Sequence, residues 1–537
     1  MLFRSGLDQI GATLGREFSH ALIEAVSDAP QGQLAKGLDE LVAAEVLFRR
    51  GAPPDATYTF KHALLQDTAY ESQLNSRRRE LHARTANALA SKFPARVAAE
   101  PQVMARHCAE GGLVAQAIDH YELAAKQAIA RLANTEAVDD YTRAVELLAT
   151  QPDAPERAQR EIALRLGMNS PLHAQGAASA RVAANYERIE ALCEGIAPGP
   201  ARLPALVGLA VLHTSRADLA RAARHARQLL EIADALKIAP LQLAAHAMLG
   251  SAATSITNVA DACVHFEQMF ALAEHTPVPP PVTAFEVDVV AGTSSTYAMN
   301  LVLAGKPEQG LARLEAGNAR ARSLGHAHTL ALALGTSVIT MHFLEDYTRT
   351  IAFSEECLAA CKGRGFAQLE ANALVFGGWA RVMLGDAGGV AQYERGLAQA
   401  AGAGVSQIHI AGVEIARRLG KLDEAHAHTQ QVEEFIEQSG LHAFRPNVPM
   451  LCGELALAAG GDLREAERLL LLSIEGFRGF CSPWMQIRSA IALGEIALRG
   501  GDRVAARARI EEIYARIPEG FDTFRMREAR RMLSALA

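Results

Sequence analysis

The feature that most constrains this chain is a spacing. A short turn with glycine or another turn-forming residue, followed about five positions later by a small residue, recurs along most of the sequence. The clearest copies begin at Gly112, Gly420 and Gly461 and reach Ala117, Ala425 and Ala466; looser copies begin at Arg216, Asn258, Gly305, Asp346, Gly385 and Gly501. From 216 to 501 the copies follow one another about every 41 residues. Apolar residues on either side recur at intervals of three and four, the period of a buried helical face. A fixed period of this length with two helices per unit is the mark of an α-solenoid. A single helical hairpin cannot bury both its apolar stripes, so it stacks on its neighbours. Glycine in the turn reaches backbone angles that other residues resist. The small residue lets the second helix approach the first. The period exceeds that of a standard tetratricopeptide repeat, about 34 residues, so the helices are expected to be longer.

The composition agrees. Of the 537 residues, 50% are hydrophobic but only 5% aromatic, so packing rests on small side chains. The net charge of −7 excludes a generally basic nucleic-acid binder. Only eight of the 53 basic residues are lysine, which reads as codon bias rather than mechanism. Seven cysteines without a tight framework argue against a disulfide scaffold. The start lacks an apolar signal core. The longest mainly apolar stretches, at 203–212 and 330–341, are about a dozen residues against the ~20 a spanning helix needs. A soluble, cytoplasmic protein without membrane contact is expected.

The first 95 residues differ from the rest. Residues 46–50 and 57–61 read as two strands around the turn 51–56, which holds Gly51, Pro53 and Pro54. Helical patterns at 9–26, 33–44, 63–74 and 77–93 flank them. Helix–helix–hairpin–helix is the order of a winged-helix-like module. The expected organisation is this module at 1–95 and helical repeats at 96–537, with sub-boundaries near 151–157, 196–204 and 276–283, where prolines cluster. The run from Pro277 to Pro281 reads as a stiff spacer between two repeats, with a binding segment in polyproline form as the alternative. The fold class is all-α: a right-handed superhelix of tetratricopeptide-like hairpins with a small N-terminal module carrying one β-hairpin.

Three stretches carry a family resemblance: 9–20 with its Gly15, Arg16, Glu17 and Phe18; 58–72 followed by Arg77, Arg78, Arg79 and His82; and 513–523 with the Glu528, Ala529 and Arg530 that follow. Together they resemble the C-terminal part of bacterial regulators that carry a class III adenylate/guanylate cyclase domain, a signal-transduction ATPase of the STAND type and tetratricopeptide-like repeats. The resemblance spans essentially the whole chain, and its first and last motifs are more specific than the repeats. Here the Gly-Arg-Glu-Phe segment begins at residue 15, and no G-x-x-x-x-G-K-[ST] phosphate loop occurs. The resemblance therefore implies the sensor half of such a regulator, without its ATPase and cyclase, as a separate gene, a truncated product or a chain started late. It implies a nucleotide-binding or cyclase module as a partner. It also singles out His62, at the junction of the second strand and the next helix, where related ATPases place a histidine on the β-phosphate of ADP. An imidazole donor suits a phosphate oxygen. The alternative is that His62 caps or packs the following helix.

Other constellations carry less. Residues 1–100 hold 12 basic and 12 acidic side chains, so Arg49, Arg50, Arg77, Arg78 and Arg79 make no basic face, and DNA binding is not expected. Cys357 and Cys361 share a helical face but lack a second ligand pair, which favours packing over metal. His326 and His328, and His426 and His428, are two apart and diverge on a helix. Asp139 and Asp140, and Glu355 and Glu356, are adjacent and splay apart. Neither H-E-x-x-H nor G-x-S-x-G occurs. No catalytic residue, metal ligand or cofactor is expected. Trp379 and Trp484 read as core. The function expected is a non-enzymatic scaffold that takes a protein or peptide in the solenoid groove and belongs to a cyclase or ATPase signalling system. The alternatives are a stand-alone adaptor and a winged-helix transcription regulator.

Overall fold

The computed structural model describes residues 6–131, 133–176, 180–196, 199–215, 218–278, 287–400, 405–439 and 441–537. Most of the 277–281 proline run and the start of the 216 repeat lie outside them. Two compact units are present, Met1–Ala205 and Leu206–Ala537.

The first unit opens with α1 (Leu7–Leu14), β1 (Glu17–Ser19), α2 (His20–Val26), α3 (Gln31–Ala43), β2 (Leu47–Arg50), β3 (Thr57–Phe60), α4 (Ala63–Glu71) and α5 (Asn75–Lys92). The strands form an antiparallel sheet in the order β1-β3-β2. The expected hairpin is β2–β3, with Leu47 opposite Phe60 and Arg49 opposite Tyr58. The expected helix at 9–26 is interrupted: residues 17–19 extend and pair with β3, Phe18 opposite Tyr58. The cause is Phe18, which buries with Tyr58 and Phe60 under the sheet. Gly11 on α1 leaves room for its ring, since a Cβ there would lie 2.8 Å from Phe18 Cζ. Helices α6 (Pro94–Ala99), α7 (Pro101–Glu110), α8 (Val114–Ala130), α9 (Asn134–Ala149), α10 (Pro155–Gly176) and α11 (Ala180–Gly195) follow, and α7 to α11 each pack on the next.

The second unit opens in α12 (Leu203–Ser215) and continues with α13 (Leu219–Leu236), α14 (Ala239–Ile256), α15 (Val259–His275), α16 (Val289–Leu303), α17 (Pro307–Leu324), α18 (Ala327–Leu344) and α19 (Tyr347–Cys361). It ends with α20 (Ala367–Met383), α21 (Gly388–Gln399), α22 (Val405–Arg418), α23 (Leu422–Ser439), α24 (Asn447–Ala458), α25 (Leu463–Gly479), α26 (Pro483–Leu498), α27 (Arg503–Tyr514) and α28 (Phe524–Ala535). From α14 onward these are antiparallel hairpins whose first helices are the even-numbered ones. The fold is a tetratricopeptide-like α-solenoid with a small N-terminal antiparallel sheet.

The turn chemistry explains the repeat. From α16 onward the first helix of a hairpin ends on a residue in the left-handed region, at positions 305, 345, 385, 420, 460 and 500, which are nearly evenly spaced. In three of these turns an aspartate next caps the second helix: Asp346 Oδ1 accepts from Arg349 N at 3.0 Å, Asp462 Oδ1 from Arg464 N at 2.9 Å and Asp502 Oδ1 from Ala505 N at 2.9 Å. The small residues that follow pack between helices, with Ala117, Ala425 and Ala466 fully buried. Backbones approach closely between α20 and α21, where a Cβ on Gly378 would lie 2.6 Å from the Gly389 carbonyl oxygen.

Neighbour stacking is not the whole of the second unit's packing. Its last hairpin returns to the middle of the array. Ser482 Oγ, the cap of α26, donates to the Leu303 carbonyl at 2.9 Å, and Trp484 Nε1 donates to the Phe343 carbonyl at 2.9 Å. The Gly520 N–H donates to Glu308 Oε1 at 2.9 Å, across 212 residues of chain. The repeats therefore curl tightly enough for α26–α28 to pack against α16–α19, sharing one apolar core that includes Val302, Met341, Trp484 and Ile487.

One helix among the described residues, α18, is long and apolar enough by composition to cross a membrane, with mean hydropathy 1.4, and 61% of it is buried in the fold.

Candidate functional site

The first helices of the hairpins form the inner wall of the second unit, and an apolar wall is what their packing calls for. Three inward positions instead carry charge: Glu414, Glu454 and Arg488. Glu414 on α22 and Glu454 on α24 each stand six residues before the left-handed glycine of their turn, Gly420 and Gly460. Trp379 holds the same position before Gly385. Successive repeats thus deliver Trp379, Glu414 and Glu454 to one region, and α26 places Arg488 between the two carboxylates.

Arg488 Nη1 donates to Glu414 Oε1 at 2.6 Å. Its Nε and Nη2 donate to Glu454 Oε1 and Oε2 at 2.7 and 2.8 Å, a bidentate pair. Trp379 Nε1 donates to Glu414 Oε2 at 2.8 Å, and His342 Nε2 lies 3.0 Å from the same oxygen. Arg417 also bonds Glu454. The side chains of Glu414, Glu454 and Arg488 are 13, 8 and 11% exposed. Burial on its own would raise both carboxylates, but Arg488 outweighs it. Glu414, helped by His342, is held well below the usual carboxylate range, and Glu454, helped by Arg417, is held at about 2. Burial works against the Arg488 charge too, and Glu454 and Glu414 outweigh it.

A second pair lies alongside. Glu345, the C-cap of α18, occupies the left-handed position with φ 55, where the turns at 305, 385, 420, 460 and 500 use glycine. A non-glycine residue there costs about 1 kcal/mol. Its carboxylate meets the buried Arg525 of α28, so the side chain, not the turn, accounts for the glutamate. These groups line a cavity of about 480 Å³, together with Tyr347, Phe524, Glu495 and Glu528. Beneath it, between His342, Gln407, Arg488 and Arg525, is a void of about 10 Å³, room for a single water. The arrangement offers fixed charges and aromatic side chains at a cavity, which suits recognition of a polar chain.

His62 stands at the strand-to-helix junction, between β3 and α4, as the spacing predicts. It occupies the N-cap position with φ −130, but its side chain caps nothing and is exposed. In the same module Arg49 pairs with Asp39 at 2.5 Å and Arg77 with Glu80 at 2.8 Å. Cys357 and Cys361 are both buried with sulfurs 4.0 Å apart. His326 caps α18 through Thr329 N, while His328 stacks on Phe366. Glu355 and Glu356 diverge to Arg381 and Arg322. Trp379 and Trp484 are each 1% exposed, in the core as expected, yet both also direct their indole N–H to specific partners. The Arg488 cluster escaped sequence reasoning. Its signal was available: a glutamate at an otherwise apolar position, repeated once at the same distance from the turn glycine.

No family model matches the chain. An uncharacterized protein of Rhizobium meliloti (strain 1021) is 28% identical over 156 residues, which cover 27% of this chain and 15% of that relative's length. Among solved structures, a Rap protein complexed with competence and sporulation factor aligns with 72% of this chain and 99% of its own, at 14% identity and a TM-score of 0.43. A STAND protein with a tetratricopeptide repeat sensor from Pyrococcus horikoshii aligns with 99% of this chain and 66% of its own, at 12% identity and a TM-score of 0.32. At these scores no residue role or activity is carried over from either.

Proposed function

We propose that this chain is a cytoplasmic, non-enzymatic sensing scaffold: the second unit takes a segment of a protein or peptide partner, and the N-terminal module passes that event to a nucleotide-switch or cyclase module. The observation that carries this reading is the Arg488 cluster. Buried charges cost several kcal/mol to desolvate and could be replaced by apolar packing. Here they border a cavity of about 480 Å³ instead of closing a core. Coupling would follow from the tight curl of the repeats. A ligand between α20 and α28 that favours one curvature shifts the population of that curvature, whatever the chemistry downstream.

Within this reading residues 1–95 act as a module of their own, and His62 is its contact to a nucleotide phosphate supplied by the partner. Its exposure, with no side-chain bond capping α4, leaves the imidazole free for that role. A transcription-regulator reading has less support, because Arg49 and Arg77 are committed to carboxylates.

The test is hydrogen exchange of the full chain with a pool of random peptides. Protection confined to α20–α28 supports the reading, and no protection by any peptide at millimolar concentration contradicts it. For His62, the readout is ADP retained by a STAND-type ATPase module co-expressed with the chain: His62→Ala lowers it if the phosphate contact exists and leaves it unchanged if not.

A further inference from the structure

The cavity of the second unit is not neutral in its local pairing. Five glutamates (345, 414, 454, 495 and 528) and four arginines (417, 418, 488 and 525) line it. Arg488 is shared by Glu414 and Glu454, Arg417 is committed to Glu454, and Arg525 to Glu345. Arg418 is exposed at the rim. Glu495, in the last turn of α26, and Glu528, in the second turn of α28, make no ion pair among the described residues. Burial raises the Glu528 pKa first, and the Glu495 charge raises it further against the pull of Arg525, Arg488 and Arg531. Two carboxylates that disfavour one another at the wall of a cavity are relieved by a cation between them. Trp379, Tyr347 and Phe524 line the same cavity and give the aliphatic stem of a long side chain an apolar surface to lie along.

Resting on the groove reading above, we infer that the cavity receives a basic side chain, guanidinium or ammonium, of an extended polypeptide segment, with Glu495 and Glu528 as its counter-charges. The Arg488 cluster is then the rigid floor: its charges are already paired and attract no net ligand charge, but they fix α26, which carries Glu495, while the Glu345–Arg525 pair holds α28, which carries Glu528. Acidic segments are disfavoured at the same wall.

The experiment uses the full chain and three fluorescein-labelled Gly/Ser peptides of about eight residues. One has two central arginines, the second has citrulline in their place, and the third has glutamate. Fluorescence anisotropy is expected to give the arginine peptide an affinity about tenfold or more above the citrulline peptide at physiological salt, with the glutamate peptide weakest. Glu495→Gln with Glu528→Gln should reduce that ratio to within about twofold. The control Glu231→Gln with Glu394→Gln, which removes the same charge from exposed positions, should keep it. Equal affinity for arginine and citrulline peptides, or a ratio retained in the Glu495/Glu528 variant, overturns the inference. Binding of citrulline or glutamate peptides with protection of α20–α28 sinks the charge assignment but leaves the groove reading standing. Failure of all three peptides and of the random pool removes both. Thermal melts of each variant establish that the comparison is between folded proteins.

Discussion

Arg488 Nη1 reaches Glu414 Oε1 at 2.6 Å although 74 residues of chain separate them. That bond exists because the repeat places α22 and α26 around one interior, and the same geometry puts Glu454 on the other side of the guanidinium. The second unit is organised around this cation as well as around its apolar stripes.

The return of the last hairpin is a second long-range constraint. Trp484→Phe preserves most of the packing in the shared core and removes the indole N–H that satisfies the Phe343 carbonyl. It is expected to cost about 1–3 kcal/mol in urea unfolding. Hydrogen exchange should rise both near Phe343 and at the start of α26. A rise in α26 alone would mean that the contact does not tie the two regions together.

Contact between α20 and α21 depends on two glycines. A Cβ at Gly378 would meet the Gly389 carbonyl oxygen at 2.6 Å and Tyr393 N at 2.6 Å, both backbone atoms that cannot rotate away. Gly378→Ala should therefore destabilise by about 1–3 kcal/mol through displacement of α21, despite alanine's better helix propensity. Equal or higher stability by thermal melt would show that α20 and α21 are farther apart than described.

Three histidine pairs predict the pH response. His82 and His107 share a hydrogen bond at 2.9 Å between Nδ1 atoms, as do His409 and His428 at 2.9 Å and His246 and His265 at 3.1 Å. Such a bond needs one Nδ1–H donor and one free Nδ1, so it is lost once both rings are charged. Burial lowers His82 from 6.5 to about 4, His409 to about 4 and His107 to about 3; each value is also lowered by neighbouring positive charge. The folded-state values lie below the unfolded ones, so the unfolded chain binds more protons. Stability is full above pH 6.5 and falls as the pH drops towards about 4, by up to ~1.4 kcal/mol per pH unit for each histidine. Urea midpoints between pH 7.5 and 5 should show this slope, and His82→Leu with His107→Leu should flatten it. An unchanged slope in that variant would assign the acid sensitivity elsewhere.

Legibility in the sequence divides along the range of the interaction. The repeat turns are readable because Gly420 and Asp462 act locally: a left-handed backbone and a cap are decided within a few residues, although the left-handed residues of the last two turns are Gly460 and Gly500, one before the Gly461 and Gly501 that the spacing picks out. The β2–β3 hairpin is readable for the same reason. Strand β1 is not, since Glu17–Ser19 extends only by pairing with β3, which follows α2, α3 and β2 in the chain. The return of α26 onto α16 depends on small rotations summed over the intervening hairpins, which no local pattern records. The position of His62 is readable from the strand–helix junction. The Arg488 cluster is not, because a charge on an apolar stripe shows its meaning only when its partner is known to lie opposite.

The most direct test of the organising role of Arg488 is equilibrium unfolding of two variants. Arg488→Met leaves Glu414 and Glu454 as buried carboxylates without their shared cation, and should lose about 3–5 kcal/mol. Adding Glu414→Gln and Glu454→Gln removes those charges and should restore most of the loss. An unfolding free energy unchanged by Arg488→Met, or a triple variant no more stable than the single one, would contradict a unit built around that cation.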